Sequence, residues 1–183
     1  MKNINPNNSP ITAGIDLSLS ATGVVLINSR KKIILKKVIK TKKLRGMERL
    51  LFIKQELLNL LIEHKVSQCA IEGYSFGSNG RALFNIGELG GVVRLALHEN
   101  SIHFFDIPPT SLKAFITDNG GADKEMVIQA INKDYGILFK DNNEADAYGL
   151  ALMLNEFRGD IIHYTKKGGA KKIREYKKGI KNA

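Results

Sequence analysis

The chain has 183 residues, 43% of them hydrophobic, and a formal net charge of +10. That length holds one domain with a proper core plus an appendage. No apolar run approaches the roughly 20 residues that span a bilayer, no signal-peptide core opens the chain, and the single cysteine, Cys69, excludes an internal disulfide and a cysteine-built zinc site, so a reducing cytoplasm is the expected setting.

Residues 1–10 are polar and read as a disordered lead-in. The stretch Thr12-Ala-Gly-Ile-Asp-Leu-Ser-Leu-Ser-Ala-Thr-Gly-Val-Val-Leu-Ile27 organises the rest of the chain: a strand over about 11–17, a turn of small residues, and a strand running back over about 21–28. Asp16 stands near the end of the first strand, among Ile11, Ile15 and Leu17. A carboxylate there needs water, a cation or a strong donor, because an unpaired buried charge is costly. Taken alone it could equally cap a turn. Gly14 and Gly23, with the small Ser18, Ser20 and Thr22, leave room for a bulky anion to approach the backbone.

A third strand, over about 32–40, sets lysines among apolar residues, with Arg30 and Lys31 in the turn before it. Leu50, Leu51, Ile53, Leu57, Leu58, Leu60, Leu61 and Ile62, with polar residues between them, predict an amphipathic helix over 46–64. Gln68–Glu72 is a short buried strand ending on a second carboxylate, and residues 73–80 form a loop carrying Tyr74 and Phe76. The helix predicted over 81–99 contains Gly87, Gly90 and Gly91; each interior glycine costs up to about 1 kcal/mol against alanine, which implies close packing against another backbone. Residues 102–106 read as the fifth strand, stopped by Pro108 and Pro109. A short helix over 110–116, a turn at 118–122, a helix over 124–134 capped by Asp123, and a last helix over 143–157 complete the folded part. From Arg158 the apolar pattern fades into a basic tail with Gly168 and Gly169 as a hinge. The expected organisation is therefore a lead-in over 1–10, one domain over 11–157, and a flexible basic tail over 158–183. The element order predicts an α/β fold, a five-stranded mixed sheet with helices on both faces.

Charge is spread unevenly over this order. Residues 28–54 hold eleven Lys and Arg against Glu48 alone, residues 55–165 hold eight basic and fifteen acidic side chains, and residues 166–183 hold eight basic side chains against Glu175. Two basic blocks suited to a polyanion flank an acidic middle suited to a cation. Within that frame Asp16 and Glu72 end strands, and neighbouring strand ends lie together in such a sheet. Asp146 lies near the start of the last helix, sharing a face with Asn143 three residues earlier. Three converging acids repel unless they share cations, and hard oxygen ligands suit Mg²⁺ or Mn²⁺. Glu144 is the stronger ligand chemically, but two residues along a helix is a rotation of about 200°, which points it away from Asp146.

The segments Gly14–Gly23, Ala70-Ile-Glu72, Ala82–Gly91, Gly121-Ala-Asp-Lys-Glu125 and Ala145-Asp-Ala147 together resemble the RuvC-type Holliday junction resolvases of the RNase H-like nuclease superfamily, including its bacteriophage branch. The resemblance implies an RNase H-like fold, a homodimer, and Mg²⁺-dependent nicking of branched DNA in a bacterial or phage-infected cell. Carried over by position, it implies that Asp16 bridges two metals, Glu72 binds one and helps orient the attacking water, and Asp146 binds the other. The family's last motif has a metal-binding Asp or His where this chain has Asn143, a weaker oxygen ligand without charge, with Glu144 as the alternative. Lys124 matches a basic residue near the scissile phosphate. Tyr74 or Phe76 matches an aromatic that wedges into the junction centre, where stacking on an unpaired base is worth about 1–3 kcal/mol. Arg81, Lys31, Lys32, Lys36, Lys37, Lys42, Lys43 and the tail would contact phosphate, and the helix over 81–99 would form the dimer interface. Other readings are an RNase H-like nuclease acting on RNA–DNA hybrids and a non-catalytic junction-binding protein disabled at Asn143. An actin-like kinase needs a second lobe and a longer chain.

Overall fold

A computed structural model describes residues 10–74, 81–166 and 168–181. β1 (Thr12–Asp16), β2 (Ala21–Ile27) and β3 (Ile33–Lys40) form an antiparallel meander, and β4 (Gln68–Glu72) and β5 (His103–Ile107) add in parallel to the other edge of β1. The strand order is β3-β2-β1-β4-β5. Parallel neighbours require crossovers, and α1 (Gly46–Glu63) and α2 (Arg81–Glu99) supply them. The chain then continues through α3 (Pro109–Thr117), α4 (Lys124–Tyr135) and α5 (Asn142–Phe157). All of these elements fall where the residue pattern predicts them.

Alternation along the strands divides the interior in two. Ala13, Ile15, Val24, Leu26, Cys69 and Ile71 pack with the apolar faces of α1 and α2. Val25, Ile27, Ala70 and Ile107 face the other way, onto α3, α4 and α5. α5 is the centre of that second layer, with Ala145, Ala147, Leu150, Ala151 and Leu154 all buried. Its start is fixed by Asp141, whose side chain accepts the Asn143 N–H at 2.9 Å.

The sheet accepts α5 at backbone distance because β1 and β2 carry glycine beneath it. A Cβ on Gly14 would sit 1.8 Å from the Ala147 carbonyl oxygen, and one on Gly23 would sit 2.1 Å from that of Asn143. The room expected there for an approaching anion is taken by the helix.

The flexible tail expected from Arg158 is instead helical where it is described. A 3-10 turn (Arg158–Asp160), α6 (Ile161–Thr165) and α7 (Gly169–Lys181) come after α5. Ile173 is fully buried, the Phe157 and Tyr164 rings stack at 4.0 Å, and Tyr176 meets Phe157 edge-on. Few apolar residues are needed because α7 buries a single narrow stripe and leaves its lysines in solvent. No described helix is long and apolar enough to cross a membrane.

Candidate active site

The residues of β1 that face α5 are Thr12, Gly14 and Asp16, and Ala70 and Glu72 face it from β4. The parallel register runs from Thr12 opposite Gln68 to Ile15 opposite Ile71, so Asp16 and Glu72 stand side by side just beyond the last pair. Their carboxyls share a hydrogen bond. Asp146 comes from the first turns of α5, one residue before the carbonyl that rests on Gly14. These three acids, Asn143, Lys113 and Lys124 line one cleft of about 360 Å³, closed on its sides by Leu17, Tyr74, Leu83, Ile86 and Pro109.

Burial raises every acid in the cleft. Asp16 is pushed up to about 8, first by burial and then by the charges of Glu72 and Asp146, with Lys124 opposing. Glu72 is raised chiefly by burial, while its hydrogen bond to Asp16 and the Lys124 and Lys113 ammonium groups pull the other way. Burial also raises Asp146 against the same two lysines. Two lysines do not neutralise three crowded carboxylates, so burial and mutual repulsion disfavour full ionisation of the acids. Among the described residues no three His, Cys, Asp or Glu side chains are already drawn together at ligand spacing. The donor chemistry nonetheless fits a hard divalent cation: three carboxylates and an amide oxygen in a cleft short of positive charge.

Glu144 belongs to different surroundings. Its carboxylate pairs with Lys36 on β3 at 3.1 Å, and it does not line the cleft. The helix begins at Asn142 and turns this side chain, the alternative metal ligand, toward β3 and apart from the three acids. Lys113 escaped the sequence reading altogether. It comes after Pro108-Pro109-Thr-Ser-Leu on α3, and the turn after β5 delivers it into the cleft.

The expected nucleic-acid contacts divide by position. Tyr74 does not project freely: Arg94 donates to its hydroxyl at 3.0 Å and lies over its ring at 4.8 Å, and a Cβ on Gly90 would collide with it. Gly90 thus serves an aromatic ring, while Gly87 and Gly91 meet no atom of the described residues within 4 Å of an added Cβ. Phe76 lies outside the described residues, as does the side chain of Arg81, which opens α2. Lys42 and Lys43 are exposed directly after β3, where Thr41 bonds the Leu19 carbonyl beside the cleft-lining Ser18. Lys31 and Lys32 lie in the β2–β3 turn, at the opposite end of the sheet from Asp16. Lys31 pairs with Glu156 at 2.9 Å. Lys37 pairs with Glu56 at 2.9 Å.

Known proteins bear on this arrangement. The family model described as crossover junction endodeoxyribonuclease RuvC matches residues 12–154. A crossover junction endodeoxyribonuclease RuvC of Brachyspira hyodysenteriae is 34% identical over 146 residues, covering 78% of this chain and 91% of that protein. The structure of T. thermophilus RuvC in complex with Holliday junction substrate superposes with a TM-score of 0.69 at 23% identity, covering 78% of this chain and 91% of that chain. The yeast mitochondrial Holliday junction resolvase Ydc2 superposes with a TM-score of 0.58 at 14% identity, covering 86% of this chain and 82% of that chain. Both carry the same mixed-sheet fold.

Proposed function

We infer from the family match and the cleft together that this chain, which belongs to the RuvC family of crossover junction endodeoxyribonucleases, resolves Holliday junctions in DNA recombination and repair by hydrolysing phosphodiester bonds. Asp16, Glu72 and Asp146 hold divalent cations, with Asn143 contributing a neutral oxygen. Mg²⁺ is the ion these hard donors suit, and Mn²⁺ substitutes for it. Such ions supply an activated water and stabilise charge on the oxygens of the phosphate being displaced. The chain's own contributions are separable. Asp16 and Glu72 would provide the inner pair of carboxylates that hold the cations. Lys113 and Lys124 attract the scissile phosphate and favour ionisation of the neighbouring acids. Tyr74 or Phe76 supplies the aromatic for the junction centre, while Lys42 and Lys43 track the backbone of a strand leaving the cleft.

The observation that carries this reading is the burial of three acids in one cleft beneath a helix seated on glycine. A homodimer suits a substrate with near two-fold symmetry, and α2 offers the face for it: Phe84 and Leu95 are exposed on the same side as the bare Gly87 and Gly91. Cytoplasmic action goes with a chromosomal substrate in a bacterial cell. The test is incubation with a synthetic four-way junction and a matched linear duplex in Mg²⁺, Mn²⁺ or EDTA. Paired metal-dependent nicks confined to branched DNA are expected. Junction binding without nicks under any metal would instead support a non-catalytic binder, the reading that the neutral Asn143 favours.

A further inference from the structure

α6 and α7 lie beyond residue 154, where the family match ends. The family's activity gives them no task, yet α7 is held firmly. Ile173 is buried in the core, Tyr176 donates to Glu156 at 3.0 Å, and Lys177 donates to the Phe115 carbonyl at 2.9 Å while pairing with Asp118 at 2.7 Å. Phe115 and Asp118 place the later part of α7 along the C-terminal end of α3. Its first turn lies at the other end: a Cβ on Gly169 would meet the Ser111 hydroxyl, and one on Gly120 would meet both the Thr110 carbonyl and the Ala170 side chain. α7 therefore starts at the same end of α3 as the cleft-lining Pro109, but on the face of Ser111 and Phe115, about 200° round the helix from Pro109 and Lys113, and it runs along α3 away from that end. Thirteen residues of helix make a strip about 20 Å long.

The strip is basic on its outer side. Lys171, Arg174 and Lys178 recur at helical spacing, and Glu175, 3.9 Å from Lys171, is the lone acid of the helix. Arg174, Lys177 and Lys178 border, with Asp118, a hollow of about 190 Å³. Cations at fixed spacing on a rigid helix suit a ligand with a regular row of negative charges.

We propose that α7 is a rest for one duplex arm of the junction, with Lys171, Arg174 and Lys178 contacting its phosphates without reading sequence. This rests on the junction-cleaving function inferred above, because it is the cleft that brings DNA to the start of α3. A duplex leaving the cleft along α3 presents phosphates to this helix at high charge density, and each contact releases counterions. The arrangement adds to a general basic attraction a particular direction for the bound arm.

The experiment uses full-length protein carrying Asp16→Asn to prevent cleavage, with and without Lys171→Gln, Arg174→Gln and Lys178→Gln together. Binding is measured across a range of salt to junctions with long arms and to junctions with arms trimmed close to the crossover. On long arms the triple substitution should weaken binding about tenfold and lower the slope of log affinity against log salt by up to about 2.7, or about 0.9 for each phosphate contact. On trimmed arms the two proteins should coincide, and without the triple substitution the slope should itself fall when the arms are trimmed. Equal affinity and slope on long arms would overturn the assignment of α7, as would an equal loss on both substrates. Native chain that neither binds nor nicks a four-way junction would overturn the functional reading and this inference with it; nicking with an unchanged salt slope would overturn this inference alone.

Discussion

The carbonyl oxygen of Ala147 lies 1.8 Å from where a Cβ on Gly14 would stand. Asp146 precedes that carbonyl by one residue and Asp16 comes two after Gly14, so the contact that seats α5 on β1 also sets the spacing of two acids in the cleft. Replacing Gly14 by alanine forces backbone against backbone, with no flexible side-chain end to give way. Gly14→Ala should destabilise the protein by about 1–3 kcal/mol or more. In the fraction that remains folded, single-turnover cleavage should fall further than junction affinity, because Asp146 is displaced while the basic surfaces are not. Thermal melting and a split between cleavage rate and binding check this together.

Crowding of the acids predicts an unusual response to pH. Asp16 has its carboxyl raised to about 8 in the folded chain, mainly by burial, and Glu72 and Asp146 are raised as well. Below their ordinary values near 4 these groups are protonated whether the chain is folded or not. As pH rises toward 8 the unfolded chain releases protons that the folded chain retains or loses at a cost, so metal-free stability should fall across that window. Asp16→Asn should raise metal-free stability at pH 8, because it removes a charge from a buried cluster of like charges. Mg²⁺ should stabilise the native chain more at pH 8 than at pH 5 and should stabilise the Asn variant little. Melting curves at the two pH values, with Mg²⁺ or EDTA, measure each effect.

Asn143 and Glu144 separate cleanly. Asn143→Asp should increase divalent-ion affinity and sustain cleavage at lower Mg²⁺, and Asn143→Ala should raise the Mg²⁺ needed. Glu144→Gln should leave the metal dependence unchanged and cost about 0.2–1 kcal/mol through its bond to the half-exposed Lys36. Mg²⁺ titrations of cleavage decide between the two positions.

Lys113 and Lys124 both lower the pKa of acids in the cleft. Replacing either by alanine should slow cleavage and move the acidic limb of the pH–rate profile upward, since Glu72 and Asp146 then ionise at higher pH. A loss of rate with an unmoved profile would assign the lysine to phosphate contact alone.

Much of this site was legible along the chain. Alternation in β1 and β4 puts Asp16 and Glu72 on one face, and helical spacing puts Asn143 with Asp146 and turns Glu144 away. What remained hidden depended on packing between distant segments. Gly14 and Gly23 looked open because the helix that fills the space over them lies more than a hundred residues later. Lys113 depends on the turn after β5, which no periodicity describes. α7 was obscured by its lysines, although Ile173 and Tyr176, three residues apart, already mark the stripe that it buries.

The measurement closest to the central claim compares native protein with Asp16→Asn on one four-way junction, recording affinity in EDTA and cleavage in Mg²⁺. Junction binding should be retained or tightened in the variant, since a negative charge is removed beside phosphate, with cleavage lost. Normal turnover by Asp16→Asn would contradict the assignment of this cleft as the catalytic centre.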